Sequence, residues 1–196
     1  MHTLATVERI INQVPGWSLS DAEIAPLEGG ITNQNYRVDI HGESFVLRIG
    51  GKGTHLLGID RARESICTTI AAQVGVGAEV MHFLAAEDAL VTRFIEGTPI
   101  SPESAAQPET LRRIVSAMQR YHSGPTFPGV FSPFETVRSY HRLALERGVP
   151  FPDTLPQVFA LMTSIEEALR SVQRQQPCHN DLLASKGCRW RWAFIC

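Results

Sequence analysis

The hydrophobic rhythm of the chain changes once, near residue 97, and that switch restricts the folds open to it. Before it lie five short runs of strand character, residues 22–27, 34–40, 43–49, 79–84 and 89–95. Gly29-Gly30, His41-Gly42 and Glu87-Asp88 mark the turns between them, and Gly50-Gly51-Lys52-Gly53 breaks the chain after the third. One helical stretch interrupts the series: Ala62, Ile66 and Ile70 recur over residues 60–73, closed by Gly75-Val76-Gly77. A further amphipathic helix over residues 3–14 carries Leu4, Val7, Ile10, Ile11 and Val14 on one face and ends near Pro15-Gly16. After Gly97 apolar residues recur only at helical spacing. Leu111, Ile114, Val115, Met118 and His122 share one face, and Val158, Leu161, Met162, Ile165, Leu169 and Val172 another. Between them Ser132-Pro133-Phe134-Glu135 offers a Ser N-cap, Pro at the first helical position and Glu three residues on. The strand spacing predicts a five-stranded antiparallel sheet over residues 22–95 with the 60–73 helix packed on it. The class is α+β, a β-rich lobe followed by a helical one, with the boundary at residues 96–100.

A chain of 196 residues can bury a real core, and 43% hydrophobic with 19% charged residues is an ordinary globular mixture. The net charge of -2 supplies no basic field for nucleic acid, so no nucleic-acid partner is expected. No apolar run reaches membrane-spanning length, and the amphipathic start carries Glu8, unlike a secretory signal. The expectation is a cytoplasmic protein with no membrane partner. Cys67, Cys178, Cys188 and Cys196 form no C-x-x-C pair and are not spaced with the histidines like a zinc site.

Four segments carry chemistry. Glu28-Gly29-Gly30-Ile31-Thr32-Asn33-Gln34-Asn35 joins the first two strands, and its small residues let backbone N–H groups approach a phosphate, although these residues alone read first as a plain hairpin connection. In Phe45-Val46-Leu47-Arg48-Ile49, alternation puts Phe45, Leu47 and Ile49 on one face and Val46 and Arg48 on the other. Val46 then suits a base and Arg48 its phosphates, against the alternative of an arginine on a solvated sheet face. Glu64, on the following helix, is placed to fix such a cation, or else to pair with Arg61 or Arg63 on its own helix. Pro177-Cys178-His179-Asn180-Asp181-Leu182-Leu183 has the His-x-Asp pattern of a kinase catalytic loop, with Asp181 accepting the proton of a substrate hydroxyl.

In this order, LEGGITNQNYRV, ESFVLRIGGKGT, LVTRFIEG and PCHNDLL resemble the choline kinase-like branch of the choline/ethanolamine kinase and aminoglycoside phosphotransferase family, over nearly all of residues 1–185. The resemblance implies a protein-kinase-like two-lobe fold, Mg-ATP as donor, and transfer to a hydroxyl of a small-molecule acceptor such as choline or a related amino alcohol. Residues 1–96 would form the nucleotide-binding lobe and 97–185 a partial helical lobe ending in the catalytic loop. Matched residue by residue, Gly29, Gly30, Thr32 and Asn33 would lie in the phosphate loop. Arg48 would hold phosphate, Glu64 would orient Arg48, and Thr92–Gly97, with Phe94 and Glu96, would be the hinge that meets adenine beside Val46. His179 and Asp181 would be the catalytic pair. Arg in place of the lysine of protein kinases fits this branch, and it stays charged when buried.

The likeness stops after residue 185. The family pattern H-x-D-x-x-x-x-N asks for a metal-binding Asn five residues after Asp181, where Lys186 stands. No Asp or Glu follows Asp181, so the metal-binding Asp of the next strand has no counterpart and no metal ligand is assigned. Residues 186–196 hold two of the three Trp and two of the four Cys and read as an aberrant tail. The expectation is a C-terminally truncated kinase, inactive or nearly so in this form. The alternative is a non-catalytic nucleotide- or partner-binding pseudokinase module. The helical faces at 108–122 and 155–172 are expected to expose apolar surface.

Overall fold

The computed structural model describes residues 4–27, 33–51, 53–98, 100–172, 174–180 and 182. They fall into two compact units, Met1–Pro128 with Pro177–Cys196, and Gly129–Gln176.

The first unit is built on a five-stranded sheet: β1 (Ala22–Leu27), β2 (Asn33–Ile40), β3 (Glu43–Gly50), β4 (Val80–Leu84) and β5 (Ala89–Arg93). The spatial order is β1-β2-β3-β5-β4 and every neighbouring pair is antiparallel, as the strand spacing predicted. β2 and β3 meet through His41 and Gly42, both at positive φ (52° and 78°), the conformation that a two-residue hairpin needs to match strand twist. The β4–β5 turn passes through a short 3-10 segment and Asp88, also left-handed at φ 47°.

Alternation along β2 and β3 separates the two faces of the sheet. Val38, Ile40, Phe45, Leu47 and Ile49 join Ala89 and Val91 in a buried cluster. Helix α1 (Leu4–Ile11) closes that cluster from outside with Val7, Ile10 and Ile11; Val14, just beyond it, is also buried. The helix is three residues shorter at its C-terminal end than the periodicity predicts. Residues 12–14 continue as single turns, with Val14 N donating to the Ile11 carbonyl (3.0 Å), so the apolar spacing outlasts the regular helix. Trp17 stacks at a tilt on Phe45, centroids 5.0 Å apart.

Helix α2 (Arg61–Gln73) starts where the Asp60 carboxylate accepts from Arg63 N at 3.0 Å. It ends in a left-handed Gly75 at φ 71°, with Val76 N returning to the Ala71 carbonyl at 3.0 Å. A short α3 (Pro102–Ala105) and the longer α4 (Pro108–His122) follow β5. Cys67 and Ala71 of α2, Val76 just beyond it and Tyr121 of α4 make a second buried cluster, flanked by Ala117 and Phe127.

The second unit holds α5 (Pro133–Glu146) and α6 (Leu155–Leu169). Ser132 caps α5, its Oγ accepting from Glu135 N at 3.3 Å, the role its sequence indicated. Arg138 of α5 pairs with Glu166 of α6, and His141 packs between Phe151 and Phe159 at 4.8 and 4.7 Å. The apolar face of α6 is open: Val158 is 53% exposed, Leu161 65% and Ile165 53%. Leu111 and Val115 of α4 are half-exposed in the same way. No described helix is long and apolar enough to cross a membrane.

Candidate functional site

The sheet face away from α1 carries the polar residues. Directly paired residues on antiparallel strands project to the same side, so the β2–β3 register puts Asn33 with Gly50, Asn35 with Arg48 and Arg37 with Val46 on one face. The β3–β5 register adds Leu90 beside Arg48 and Thr92 beside Val46.

Arg48 is the centre of this face. Its Nη1 donates to Oε1 of Glu64, which lies one turn into α2. The other carboxylate oxygen, Oε2, accepts from Arg61 Nη1 at 2.6 Å. The side chains are 17% (Arg48), 10% (Glu64) and 9% (Arg61) exposed, so one buried carboxylate bridges two guanidiniums and the group carries a surplus positive charge. Both kinds of partner foreseen for Glu64 from sequence, the strand cation and a helix arginine, are therefore present together. The Asp60 cap and the backbone bond from Glu64 N to the Asp60 carbonyl (2.9 Å) fix the first turn, and with it the Glu64 side chain. Thr68 Oγ1 donates to the Glu64 carbonyl at 2.8 Å on the same helix face.

At the end of β5 the segment expected to act as a hinge leaves the sheet. Strand pairing stops at Arg93 rather than residue 95, although Phe94 N still donates to the Ser44 carbonyl at 2.9 Å. Phe94 is buried, and the Arg37 guanidinium lies 4.5 Å from its ring centroid. Arg37 also bonds Asp39 and Ser44, and it approaches Glu96 at 3.8 Å. Glu96 itself is exposed, its side chain 75% open. The Ser44 hydroxyl and, next, the Arg37 guanidinium hold the Asp39 carboxyl below its usual range.

Cys178-His179-Asn180 is tied to the body of the first unit. Tyr121 Oη donates to the Cys178 carbonyl at 3.3 Å, His179 is buried, and Asn180 is left-handed at φ 61°. Because Tyr121 also packs on Cys67 and Ala71, one and two turns beyond Glu64, the segment before Asp181 rests on the helix that positions Arg48. Burial, and then the nearby Cys178 thiol, push the Tyr121 phenol above its ordinary range.

Of the residues singled out from sequence, Asn33, Val46, Arg48, Glu64, Phe94, Glu96 and His179 are described; Gly29, Gly30, Thr32 and Asp181 lie outside the described residues. The expectation that Glu64 fixes Arg48 is met as an ion pair, while Asp181 lies outside the described residues. Arg37 had no role assigned from sequence, and Arg61 had one only as a helix partner of Glu64. Arg37 could have been placed by alternation, since it stands opposite Val46. Arg61 had no signal beyond the three-residue spacing to Glu64. Among the described residues no group of three or more His, Cys, Asp or Glu side chains could hold a metal ion.

Sheet, helices and site together define the protein-kinase-like architecture shared by choline kinases and aminoglycoside phosphotransferases. The choline/ethanolamine kinase family model matches residues 24–186, and the chain belongs to that family. It is similar to a choline/ethanolamine kinase family protein from Mesorhizobium loti, with 28% identity and a TM-score of 0.71 over 97% of this chain and 64% of the other. The choline kinase LicA of Streptococcus pneumoniae shares the fold at 22% identity, with a TM-score of 0.70 over 92% of this chain and 62% of that one. Among curated proteins, Protein LicA of Haemophilus influenzae is 29% identical over 159 residues, 79% of this chain and 46% of the relative. The chain thus spans about half the length of the curated relatives it matches.

Proposed function

We propose that the chain is the nucleotide-binding part of an ATP-dependent phosphotransferase whose acceptor is a hydroxyl of choline or a related amino alcohol. The observation that carries this reading is the buried Arg48–Glu64–Arg61 bridge. A mid-strand arginine held by a helix carboxylate is a fixed cation, and the surplus charge of the group suits a polyphosphate. A LicA fold neighbour is known in complex with AMP, which agrees with a nucleotide ligand for this fold. In this reading Val46 and the 93–96 segment contact adenine, and residues 29–33 approach the phosphates. His179 supports the loop from which Asp181 takes the hydroxyl proton. Mg²⁺, when bound, would neutralise charge between the phosphates. Lys186 stands where the family pattern has a metal-binding Asn. The 196-residue chain by itself is therefore proposed to bind nucleotide without turnover above background.

The alternative, a nucleotide-binding module with no catalysis, is favoured by the same Lys186. A chimera separates the two. Residues 1–185 are joined to the corresponding C-terminal part of the Mesorhizobium loti relative and assayed with Mg-ATP and choline, beside the 196-residue chain. The phosphotransferase reading expects turnover by the chimera that Asp181→Asn abolishes, and none by the shorter chain. A folded chimera that binds ATP but phosphorylates neither choline nor ethanolamine supports the module instead.

A further inference from the structure

Arg61 is unusual among the charged groups of the first unit. Its side chain is only 9% exposed, yet among the described residues Nη1 alone is engaged, and Nε and Nη2 are buried with no hydrogen-bond partner there. Leaving a buried donor unsatisfied is costly, and more so when it is charged. Nε and Nη2 together form the edge of a guanidinium that meets a carboxylate or phosphate with two parallel bonds.

The place this edge faces is defined by Gly50. A Cβ built on Gly50 would stand 3.1 Å from both Nε and Nη2 of Arg61 and 3.2 Å from Cβ of Asp88. The absence of a side chain at Gly50 thus makes room for the guanidinium. Gly50 pairs directly with Asn33 across the sheet, and Oδ1 of Asn33 is likewise buried with no hydrogen-bond partner among the described residues. At one rung of the sheet, two donors and one amide oxygen that have no partner among the described residues therefore sit on the face that carries Arg48. The Asn33 amide can be turned over, which offers Nδ2 to an anion in place of the oxygen.

We infer that Arg61 is a second phosphate-recognising arginine of this site: Nη1 anchors it to Glu64, and the Nε–Nη2 edge is held for oxygens of the polyphosphate. Arg48 and Arg61 share one counter-ion, so a bound phosphate supplies the negative charge that the trio lacks. The chemical class recognised is a nucleoside di- or triphosphate, not the nucleoside, because the edge sits at the end of β3 while Val46 and Phe94 lie toward its start. The inference rests on the nucleotide reading proposed above and specifies a residue within it.

The test measures equilibrium binding of ATP, ADP, AMP and adenosine to the full 196-residue chain by calorimetry, at fixed Mg²⁺, for the unsubstituted protein, Arg61→Met, Arg61→Lys and Gly50→Ala. Circular dichroism and thermal melts check the fold of each. Charged hydrogen bonds of this kind predict that Arg61→Met weakens ATP and ADP by roughly ten- to a hundredfold and leaves adenosine within about twofold. Arg61→Lys, which keeps the charge and loses the two-pronged edge, should fall between. Gly50→Ala keeps Arg61 but places a methyl against the edge, and should weaken ATP more than adenosine. ATP affinity unchanged in a folded Arg61→Met overturns the assignment alone and leaves water as the occupant of the edge. An equal loss for ATP and adenosine also overturns it, because Arg61 is then only a structural support. Failure of the unsubstituted chain to bind any of the four removes the nucleotide reading, and this inference with it.

Discussion

Replacing Glu64 by glutamine keeps the shape of the side chain and removes the negative charge that lies between two buried guanidiniums. Arg48 and Arg61 are 17% and 9% exposed, so little water is available to screen them once the carboxylate is gone. Breaking a buried pair in this way, which leaves a charge uncompensated, typically costs about 3–5 kcal/mol. The amide oxygen of the substituted side chain can still accept one hydrogen bond, which puts the expected loss near the lower figure, about 3 kcal/mol. Urea unfolding followed by fluorescence gives the measurement, since Trp17 packs on Phe45 within the same unit. The sharper form is a double-variant cycle. Arg61→Met in the Glu64→Gln background takes away one of the two stranded cations, so the double variant should be more stable than Glu64→Gln alone. A Glu64→Gln protein within about 0.5 kcal/mol of the unsubstituted chain, or a double variant whose losses simply add, would refute the claim that one carboxylate serves both arginines.

Other expectations follow from burial and hydrogen bonding. Ile10 is 1% exposed between α1 and the sheet, so Ile10→Ala should cost about 2–5 kcal/mol in the same urea titration. Leu161 and Ile165 stand open on α6, and Leu161→Glu or Ile165→Glu should change the stability of the 196-residue chain by no more than about 0.5 kcal/mol and reduce its aggregation in light scattering. Tyr121 is held neutral by burial, so its folded pKa lies above the unfolded value of about 10. The stability this brings is complete below about pH 10 and is lost as pH rises from there through the folded pKa. Unfolding midpoints should therefore fall more steeply above about pH 10 in the unsubstituted protein than in Tyr121→Phe. The same variant should lose about 1 kcal/mol at neutral pH with the bond to the Cys178 carbonyl.

Sequence alone disclosed the sheet and its polar face because alternation is a strong local signal. Phe45, Leu47 and Ile49 point into the α1 core while Val46 and Arg48 point away, as their spacing requires. Turn chemistry was equally plain at His41-Gly42 and at the Ser132 cap. Errors of extent have a common cause. Periodicity ran to Val14, Ile95 and Val172, but regular hydrogen bonding stops at Ile11, Arg93 and Leu169; apolar spacing can persist after backbone pairing ends. The place of β5 between β3 and β4 was not readable, because which strand inserts depends on tertiary packing and leaves no local trace. Arg61 was named only as a helix partner of Glu64, and its burial was not readable for a related reason. Three charged residues at 60, 61 and 63 look like a solvated helix start, and only the turn of α2 onto the sheet buries one of them against Gly50. Arg37 was legible in principle from its register with Val46, but its ring contact with Phe94 needs two strands that are far apart in sequence.

In the proposed reading the sheet face bearing Arg48 receives the phosphates of a nucleotide. A crystal structure of the 196-residue chain with a non-hydrolysable ATP analogue and Mg²⁺ tests it most directly. Phosphate oxygens are expected within hydrogen-bond reach of the Arg48 guanidinium, with the carboxylate of Glu64 still bridging Arg48 and Arg61 and the adenine against Val46 and residues 93–96. A nucleotide bound elsewhere, or bound on this face with its phosphates directed away from Arg48, would contradict it.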